Sequence, residues 1–194
     1  DPARGGVPLA LTIDLRVQHA VRDEMQRAVV RHKALGGGAL VLDARTGEVL
    51  ALVSLPDFDP ASPDGPEAAR FNRMTQGSYE LGSALKTLTA AMALDAGVVG
   101  PDGGYDASAP IRVARFTIRD NHPKNRWLSV PEIIVYSSNI GAAKIALSLK
   151  PETLWSLFNQ VGFGTPPRSG FPGEVSGKLR AAASWRPIEQ ATMS

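Results

Sequence analysis

The sequence predicts an α+β fold, with helices on both faces of a mostly antiparallel sheet. Two apolar segments, 39–42 and 49–53, flank a turn that contains Gly47, which is typical of a hairpin. The segment 83–96 is apolar around nearly its whole circumference, which is typical of a helix inside a domain. The segment 14–33 carries an apolar residue every four positions, as a helix with one buried face does.

The composition excludes several classes of protein. The chain has 194 residues, of which 43% are hydrophobic and 21% charged, so it is long enough and apolar enough to fold as a domain. A net charge of +2 does not fit an electrostatic nucleic-acid binder. The absence of cysteine excludes disulfides and a thiol nucleophile, and the scattered histidines predict no metal site. No apolar stretch reaches the ~18 residues of a membrane span.

The N-terminal elements follow from capping and turn residues. Residues 1–13 are expected to be extended, and Asp14 is the expected N-cap of a helix that reaches about Lys33. The glycines at 36–38 are expected to end that helix. A hairpin over about 38–55 follows, with strands apolar on both faces, and residues 56–70 are expected to form a loop because they are rich in proline.

The remaining elements are mostly helical. A helix is predicted over about 83–96, and a short strand over 111–116. Ser129 and Glu132 form a predicted capping box with an early proline, so helices are expected over about 130–149 with a break at 137–139. Another helix is predicted over 152–161, and residues 162–190 are expected to be rich in loops.

Lys86 is the first candidate for chemistry, because it is the only charged residue before Asp95 on an otherwise apolar helix. Burial lowers the pKa of a lysine, and a neutral amine can take a proton. Ser83 lies three residues earlier, on the same helical face and near the helix N-terminus. The two residues therefore form a plausible nucleophile–base pair. The alternative is that Ser83 only caps the helix and Lys86 extends to the surface.

The second candidate is the polar break Ser137-Ser138-Asn139. It separates two apolar segments, 133–135 and 140–147, that are expected to be buried. Polar side chains at a buried break need partners or a chemical task, so this break is expected to face the Ser83–Lys86 pair. The alternative is a polar helix break on the surface.

These motifs together resemble one known family. Residues 79–87, Tyr-Glu-Leu-Gly-Ser-Ala-Leu-Lys-Thr, look like the nucleophile motif of penicillin-binding proteins, and residues 137–139 match that family's second motif. The hairpin at 38–56, the run at 70–73 and the run at 122–127 are similar to the text around those motifs in class B transpeptidases. The chain therefore resembles the septal cell-division type of Gram-negative bacteria, the penicillin-binding protein 3 type, over most of residues 8–194.

The resemblance implies roles for four residues. Ser83 would be the acylated nucleophile, with its backbone N–H forming half of the oxyanion hole, and Lys86 the general base. Ser137 would relay a proton between Lys86 and the leaving amine. Asn139 would bind the substrate amide and hold Lys86. The substrate would be the D-Ala-D-Ala end of a peptidoglycan stem peptide, β-lactams would trap Ser83 as an ester, and no metal or cofactor would be needed.

The family's third motif, Lys-Thr-Gly or Lys-Ser-Gly, is absent. Lys86-Thr87 is followed by Leu88, and Lys178 is followed by Leu179. Residues 1–194 are therefore expected to be the N-terminal portion of one transpeptidase domain, incomplete at the C-terminus and a poor catalyst or none by itself. An unpaired sheet edge would also favour aggregation.

The resemblance also implies a cellular setting, and two other functions stay open. The protein would work at the periplasmic face of the bacterial inner membrane with divisome membrane proteins, its anchor lying outside this chain, and without nucleic acid. One alternative is a serine β-lactamase of the same fold, which needs a base for a deacylating water. The other is a non-catalytic module that binds or senses β-lactams.

Overall fold

The computed structural model describes residues 8–61 and 65–193, which divide into two compact units. The first contains residues up to Ser78 together with 168–175, and the second contains 79–167 together with the chain from Ser176. No helix of the described residues is long and apolar enough to cross a membrane.

The first unit is a helix packed on a hairpin. Helix α1 spans Leu15–His32; the side chain of Asp14 caps it by accepting a hydrogen bond from the N–H of Arg16. Strands β1, Gly37–Leu42, and β2, Val49–Leu55, pair antiparallel around Gly47, whose φ of 77° suits glycine. These predictions are confirmed. The outward side chains of Leu40 and Leu42 on β1 stay 43% and 49% exposed.

Two N-terminal expectations need correction. The glycines at 36–38 do not end α1. The last residue of the helix is His32, and Lys33 caps it in the left-handed conformation (φ 50°), whereas Gly37 and Gly38 begin β1. A Cβ on Gly38 would lie 2.5 Å from the sulfur of Met74, so a larger residue there would require the Met74 side chain to move. The loop at 56–70 contains a short helix, α2, over Glu67–Arg70. Of the run expected to be extended over 1–13, residues 8–13 belong to no helix or strand, and residues 1–7 lie outside the described residues.

The second unit combines five helices with two small antiparallel ribbons. A 3₁₀ turn over Gly82–Ala84 leads into the first of these helices, and a second 3₁₀ turn, Ala182–Ser184, precedes the last. In chain order the elements are α3 Leu85–Asp95, β3 Gly104–Asp106, β4 Ile111–Val113, β5 Phe116–Ile118, β6 Trp127–Ser129, α4 Val130–Val135, α5 Asn139–Ser148, α6 Pro151–Gln160 and α7 Pro187–Thr192. Strand β3 pairs with β6, and β4 pairs with β5.

The core of this unit forms around α5, not around α3 as expected. Helix α5 buries six side chains or glycines, including Ile140 and Ile145, and each buried isoleucine contributes about 1.5–3 kcal/mol. Helix α3 buries one face, while Thr87 and Leu94 on its other side are exposed. The expectation that α3 is enclosed all round is therefore wrong for these residues.

Two further elements differ from the prediction. The run at 111–116 is a hairpin, because Ala114 takes a positive φ of 53° and reverses the chain between β4 and β5. Helix α7 lies in the region expected to be loops. Its signal was present, since Pro187 follows the cap residue and Glu189 stands at the third helical position, bonded back to the N–H of Arg186.

Candidate active site

Ser83 lies in the 3₁₀ turn that begins the α3 segment. Gly82 precedes it with a φ of 55°, a conformation that costs little for glycine, and a side chain there would meet open space. This turn leaves Ser83 exposed at the N-terminal end of α3. A serine hydroxyl at such a position is accessible to a ligand, and the helix N-terminus favours negative charge near it.

Lys86 is buried in the first turn of α3, with 4% of its surface exposed. Its ammonium donates three hydrogen bonds: to the backbone oxygen of Ser137 at 2.8 Å, to Ser137 Oγ at 3.0 Å and to Asn139 Oδ1 at 2.7 Å. Burial lowers the pKa of Lys86 below its ordinary value of 10.5, and the negative charge of Asp120 raises it in part. The Lys86 ammonium is thus removed from solvent, and its three hydrogen bonds all go to protein acceptors.

The polar break predicted at 137–139 joins α4 to α5 and has a defined closure. The N–H of Ser137 bonds to the oxygen of Ile134 at 3.1 Å, and the N–H of Ser138 bonds to that of Ile133 at 2.9 Å. This is the Schellman closure of a helix, which usually has glycine at the left-handed position. Ser137 occupies that position with a φ of 51°. A strained non-glycine residue at a helix end points to a role for its side chain.

Ser137 connects Lys86 to Ser83. Its Oγ accepts from Lys86 and donates to Ser83 Oγ at 3.1 Å. The structure thus brings together all four predicted site residues, Ser83, Lys86, Ser137 and Asn139, although the first two and the last two are about 50 residues apart in the chain. Ser138 is buried and caps α5 by accepting from the N–H of Gly141.

Sequence reasoning missed Arg119 and Asp120, which follow β5. The backbone oxygen of Arg119 accepts a hydrogen bond from Asn139 Nδ2 at 2.9 Å. The carboxylate of Asp120 accepts from Ser138 Oγ at 2.8 Å and from the N–H of Ile140 at 2.9 Å. The sequence offered no distinct signal, because an aspartate in a loop after a short strand is common and its partners are remote in the chain.

The helix before the break is held at its start by charge-assisted bonds. Ser129 and Glu132 form the predicted capping box of α4, which is confirmed. The hydrogen bond from Arg126, followed by the one from the Ser129 N–H, lowers the pKa of Glu132 to about 2. Glu132 therefore stays ionised as an acceptor well into the acid range.

A cavity of about 670 Å³ opens beside Ser83 within the second unit. Ser83, Lys86, Asn139 and Arg119 line one side, and the segment around Lys178 lines another. This size fits a small-molecule or peptide site. Among the described residues, no group of three His, Asp or Glu side chains could hold a metal ion.

Comparison with known proteins identifies related sequences and folds. The family model described as "Penicillin binding protein transpeptidase domain" matches residues 37–194. A probable peptidoglycan D,D-transpeptidase PenA of Neisseria flavescens is 40% identical over 98% of this chain and 48% of that protein. The peptidoglycan D,D-transpeptidase FtsI of Escherichia coli K12 is 34% identical over 96% of this chain and 32% of that protein.

Solved structures agree on the fold. The transpeptidase domain of Burkholderia pseudomallei penicillin-binding protein 3 has a TM-score of 0.83 and 36% identity, over 94% of this chain and 51% of that one. A Burkholderia ambifaria structure described as a peptidoglycan glycosyltransferase has a TM-score of 0.84 and 38% identity, over 95% and 54%. The predicted fold class is therefore confirmed. The chain spans about half the length or less of the curated relatives it matches.

Proposed function

The chain belongs to the penicillin-binding protein transpeptidase family, of the class B type that its motifs predict, and we propose that it is a serine D,D-transpeptidase of septal peptidoglycan synthesis. The observation that carries the proposal is the chain of hydrogen bonds from Lys86 through Ser137 to Ser83. A serine nucleophile, a desolvated amine and a hydroxyl between them are the parts that acyl transfer requires.

Ser83 is the proposed nucleophile. Its Oγ forms a bond to the carbonyl carbon of the penultimate D-Ala, and its own proton leaves. The negative charge that develops on the carbonyl oxygen is stabilised by the Ser83 N–H, near the N-terminus of α3. The peptide C–N bond then breaks, the terminal D-Ala departs with a proton, and an amine from a neighbouring stem takes the acyl group.

Ser137 is the proposed path for the proton that leaves Ser83. With Lys86 charged, its hydrogen bonds run outward to three acceptors. When Lys86 is neutral, rotation of two hydroxyl groups reverses the path, so that Ser83 donates to Ser137 and Ser137 donates to the lone pair of Lys86. The lowered pKa of Lys86 increases the neutral fraction that this step requires. The same path returns the proton to the leaving amine.

Asn139 is the proposed anchor of both lysine and substrate. Its Nδ2 donates to the Arg119 oxygen, so its Oδ1 must face Lys86. Asn139 also borders the cavity, where it can reach a substrate amide.

The proposed partners follow from the reaction and the family. The donor is a stem peptide ending in D-Ala-D-Ala, β-lactams acylate Ser83 as mimics of that end, and divisome membrane proteins position the enzyme. Because cross-links form outside the cytoplasmic membrane, the proposed location is the periplasmic face of the inner membrane.

The direct test is a transpeptidation assay with a D-Ala-D-Ala stem peptide and an acceptor amine. The protein in the longest form that its gene encodes should release D-Ala and form a cross-linked product, and Ser83→Ala should do neither. The 194 residues by themselves are predicted to react poorly or not at all. Rapid hydrolysis of penicillin without cross-linking would favour a β-lactamase, and stable penicillin binding without cross-linking would favour a non-catalytic sensor.

A further inference from the structure

Asp120 has two contacts with the loop that carries the second motif, and neither involves the reacting atoms. Its Oδ2 accepts from Ser138 Oγ at 2.8 Å, and its Oδ1 accepts from the N–H of Ile140 at 2.9 Å. One carboxylate therefore forms hydrogen bonds with the residues on both sides of Asn139. The preceding residue holds Asn139 itself, through the bond from Asn139 Nδ2 to the Arg119 oxygen at 2.9 Å.

We propose that Asp120 is a positioning residue for acyl transfer, whose carboxylate fixes the turn at 137–140 so that Ser137 Oγ and Asn139 Oδ1 stay directed at Lys86. This inference rests on the proposed function for its kinetic consequences. Its geometric basis does not depend on the proposed function, because the hydrogen bonds join three consecutive residues, 138–140, to one short segment after β5.

The turn needs such an external hold because it is strained. Ser137 has the left-handed conformation that favours glycine, and a serine there relaxes unless its surroundings determine it. Ser138 is 1% exposed, so its hydroxyl requires partners inside the protein. Asp120 accepts from that hydroxyl while Gly141 donates to it, which satisfies the group and pins the start of α5.

Asp120 also acts on Lys86 through space. Its negative charge raises the pKa of Lys86, against the larger effect of burial. Lys86 borders the cavity beside Ser83, and the other charged residues that line this cavity are Glu80, Arg119, Lys178, Arg180 and Glu189. Glu189 is held by hydrogen bonds from Arg186 and Arg180, whereas the carboxylate of Asp120 points at the N-terminus of α5. Replacing Asp120 with a neutral residue should therefore lower the pKa of Lys86.

The test compares Asp120→Ala, Asp120→Asn and Ser138→Ala with a matched control, Asp106→Asn. Asp106 also accepts a backbone hydrogen bond, from the N–H of Ser108, but it is the last residue of β3 and lies outside this turn. The measurement is the rate of acylation by a penicillin against pH, with thermal melting to verify folding.

Asp120→Ala should slow acylation by about 10- to 100-fold, the usual effect of a small misplacement of reacting groups, and should leave the dissociation constant for the penicillin within about twofold. Asp120→Asn keeps an oxygen acceptor and should recover most of the melting temperature, while the acidic limb of its pH profile moves to lower pH. Because Asp120 and Ser138 share one hydrogen bond, the double Ala variant should lose less than the product of the single losses. Asp106→Asn should stay within about twofold of wild type.

Two readouts do not depend on acylation: amide hydrogen exchange at Ile140, and NMR titration of Lys86. Asp120→Ala should accelerate the first and lower the pKa in the second. A wild-type protein that does not react with penicillin would contradict the proposed function. The positioning role would then be tested by these two readouts alone. A reactive wild type with an unchanged acylation rate in Asp120→Ala, or with unchanged Ile140 exchange in Asp120→Ala, would overturn the positioning role alone.

Discussion

Lys86 and Asn139 are joined by a hydrogen bond of 2.7 Å from Nζ to Oδ1, which ties the first turn of α3 to the first residue of α5. The amide of Asn139 has a fixed orientation, because its Nδ2 donates to the Arg119 oxygen. The neutral acceptor that results is important, since a negative group at the same place would hold Lys86 in its charged form.

Asn139→Asp should therefore impair acylation through charge. The new carboxylate would raise the pKa of Lys86 and would lose the donor to Arg119, so the rate at neutral pH should fall by at least about tenfold, because less of the neutral base is present. The acidic limb of the pH profile should move to higher pH, opposite to the effect of Asp120→Asn. A limb that moves to lower pH, or does not move, would contradict this reading of the contact.

Lys86 should make the free energy of unfolding depend on pH in the alkaline range. Its pKa in the folded protein is lowered by burial, whereas in the unfolded protein it keeps its ordinary value of 10.5. Between these two values the unfolded state binds the extra proton, so stability rises with pH across that window. Denaturant unfolding at several pH values should show this rise in wild type but not in Lys86→Met.

The control for this prediction is Lys150→Met, which changes an exposed lysine before α6 and should keep the wild-type slope. Lys86→Met should also lower the acylation rate by at least about 100-fold, the usual contribution of a general base. A Lys86→Met protein with the wild-type pH slope would mean that the lysine is not desolvated in the folded state.

Substitutions of Ser137 should differ in their effect on stability but not in their effect on activity. Its left-handed conformation costs a non-glycine residue about 1–2 kcal/mol, so Ser137→Gly should be about 1 kcal/mol more stable than Ser137→Ala. Both variants lack the hydroxyl that bridges Lys86 and Ser83, so both should lose acylation. Urea unfolding and a penicillin-labelling assay measure the two effects, and equal stability of the two variants would argue against strain at this turn.

Gly141 sets the distance between α4 and α5. A Cβ at this position would lie 2.5 Å from Cγ1 of Ile133, which is completely buried. Gly141→Ala should therefore destabilise the protein by about 1–3 kcal/mol through overpacking. Chemical denaturation gives this difference directly.

Two further variants make the Gly141 prediction specific. Ile133→Ala is itself destabilising, but it removes the atoms that would clash with the new Cβ at position 141, so the double variant should be more stable than the sum of the two single effects predicts. Gly100→Ala is the matched control, since a side chain there meets open space, and it should stay within about 0.5 kcal/mol of wild type. Purely additive effects would show that α4 and α5 can separate without cost.

The sequence identified features that depend on neighbouring residues. Asp14 as a cap, the turn at Gly47 and the Ser129–Glu132 box are local patterns, and the structure has all three. The Ser83–Lys86 spacing was visible for the same reason. Helix α7 could have been found from Pro187 and Glu189, which repeat the signal that located α4.

Other features depend on contacts between remote residues. Asp120 gains its partners only when β5 meets the start of α5, and nothing in its own segment indicates this. The apolar circumference of α3 suggested full burial, but Leu94 remains exposed in the described residues, because α5 is the helix at the centre of the core. The periodicity of a segment shows which of its residues are apolar. It does not show which helix of the domain lies at the centre of the core.

The most direct test of the account is intact-mass spectrometry and peptide mapping after incubation with a penicillin. The protein, in the longest form its gene encodes, should gain one β-lactam mass on the peptide that contains Ser83. Ser83→Ala should gain none while melting at the wild-type temperature, since Ser83 is exposed, and Ser78→Ala should label normally. An adduct that survives in Ser83→Ala, or no adduct in wild type, would contradict the proposal that Ser83 is an acylated nucleophile.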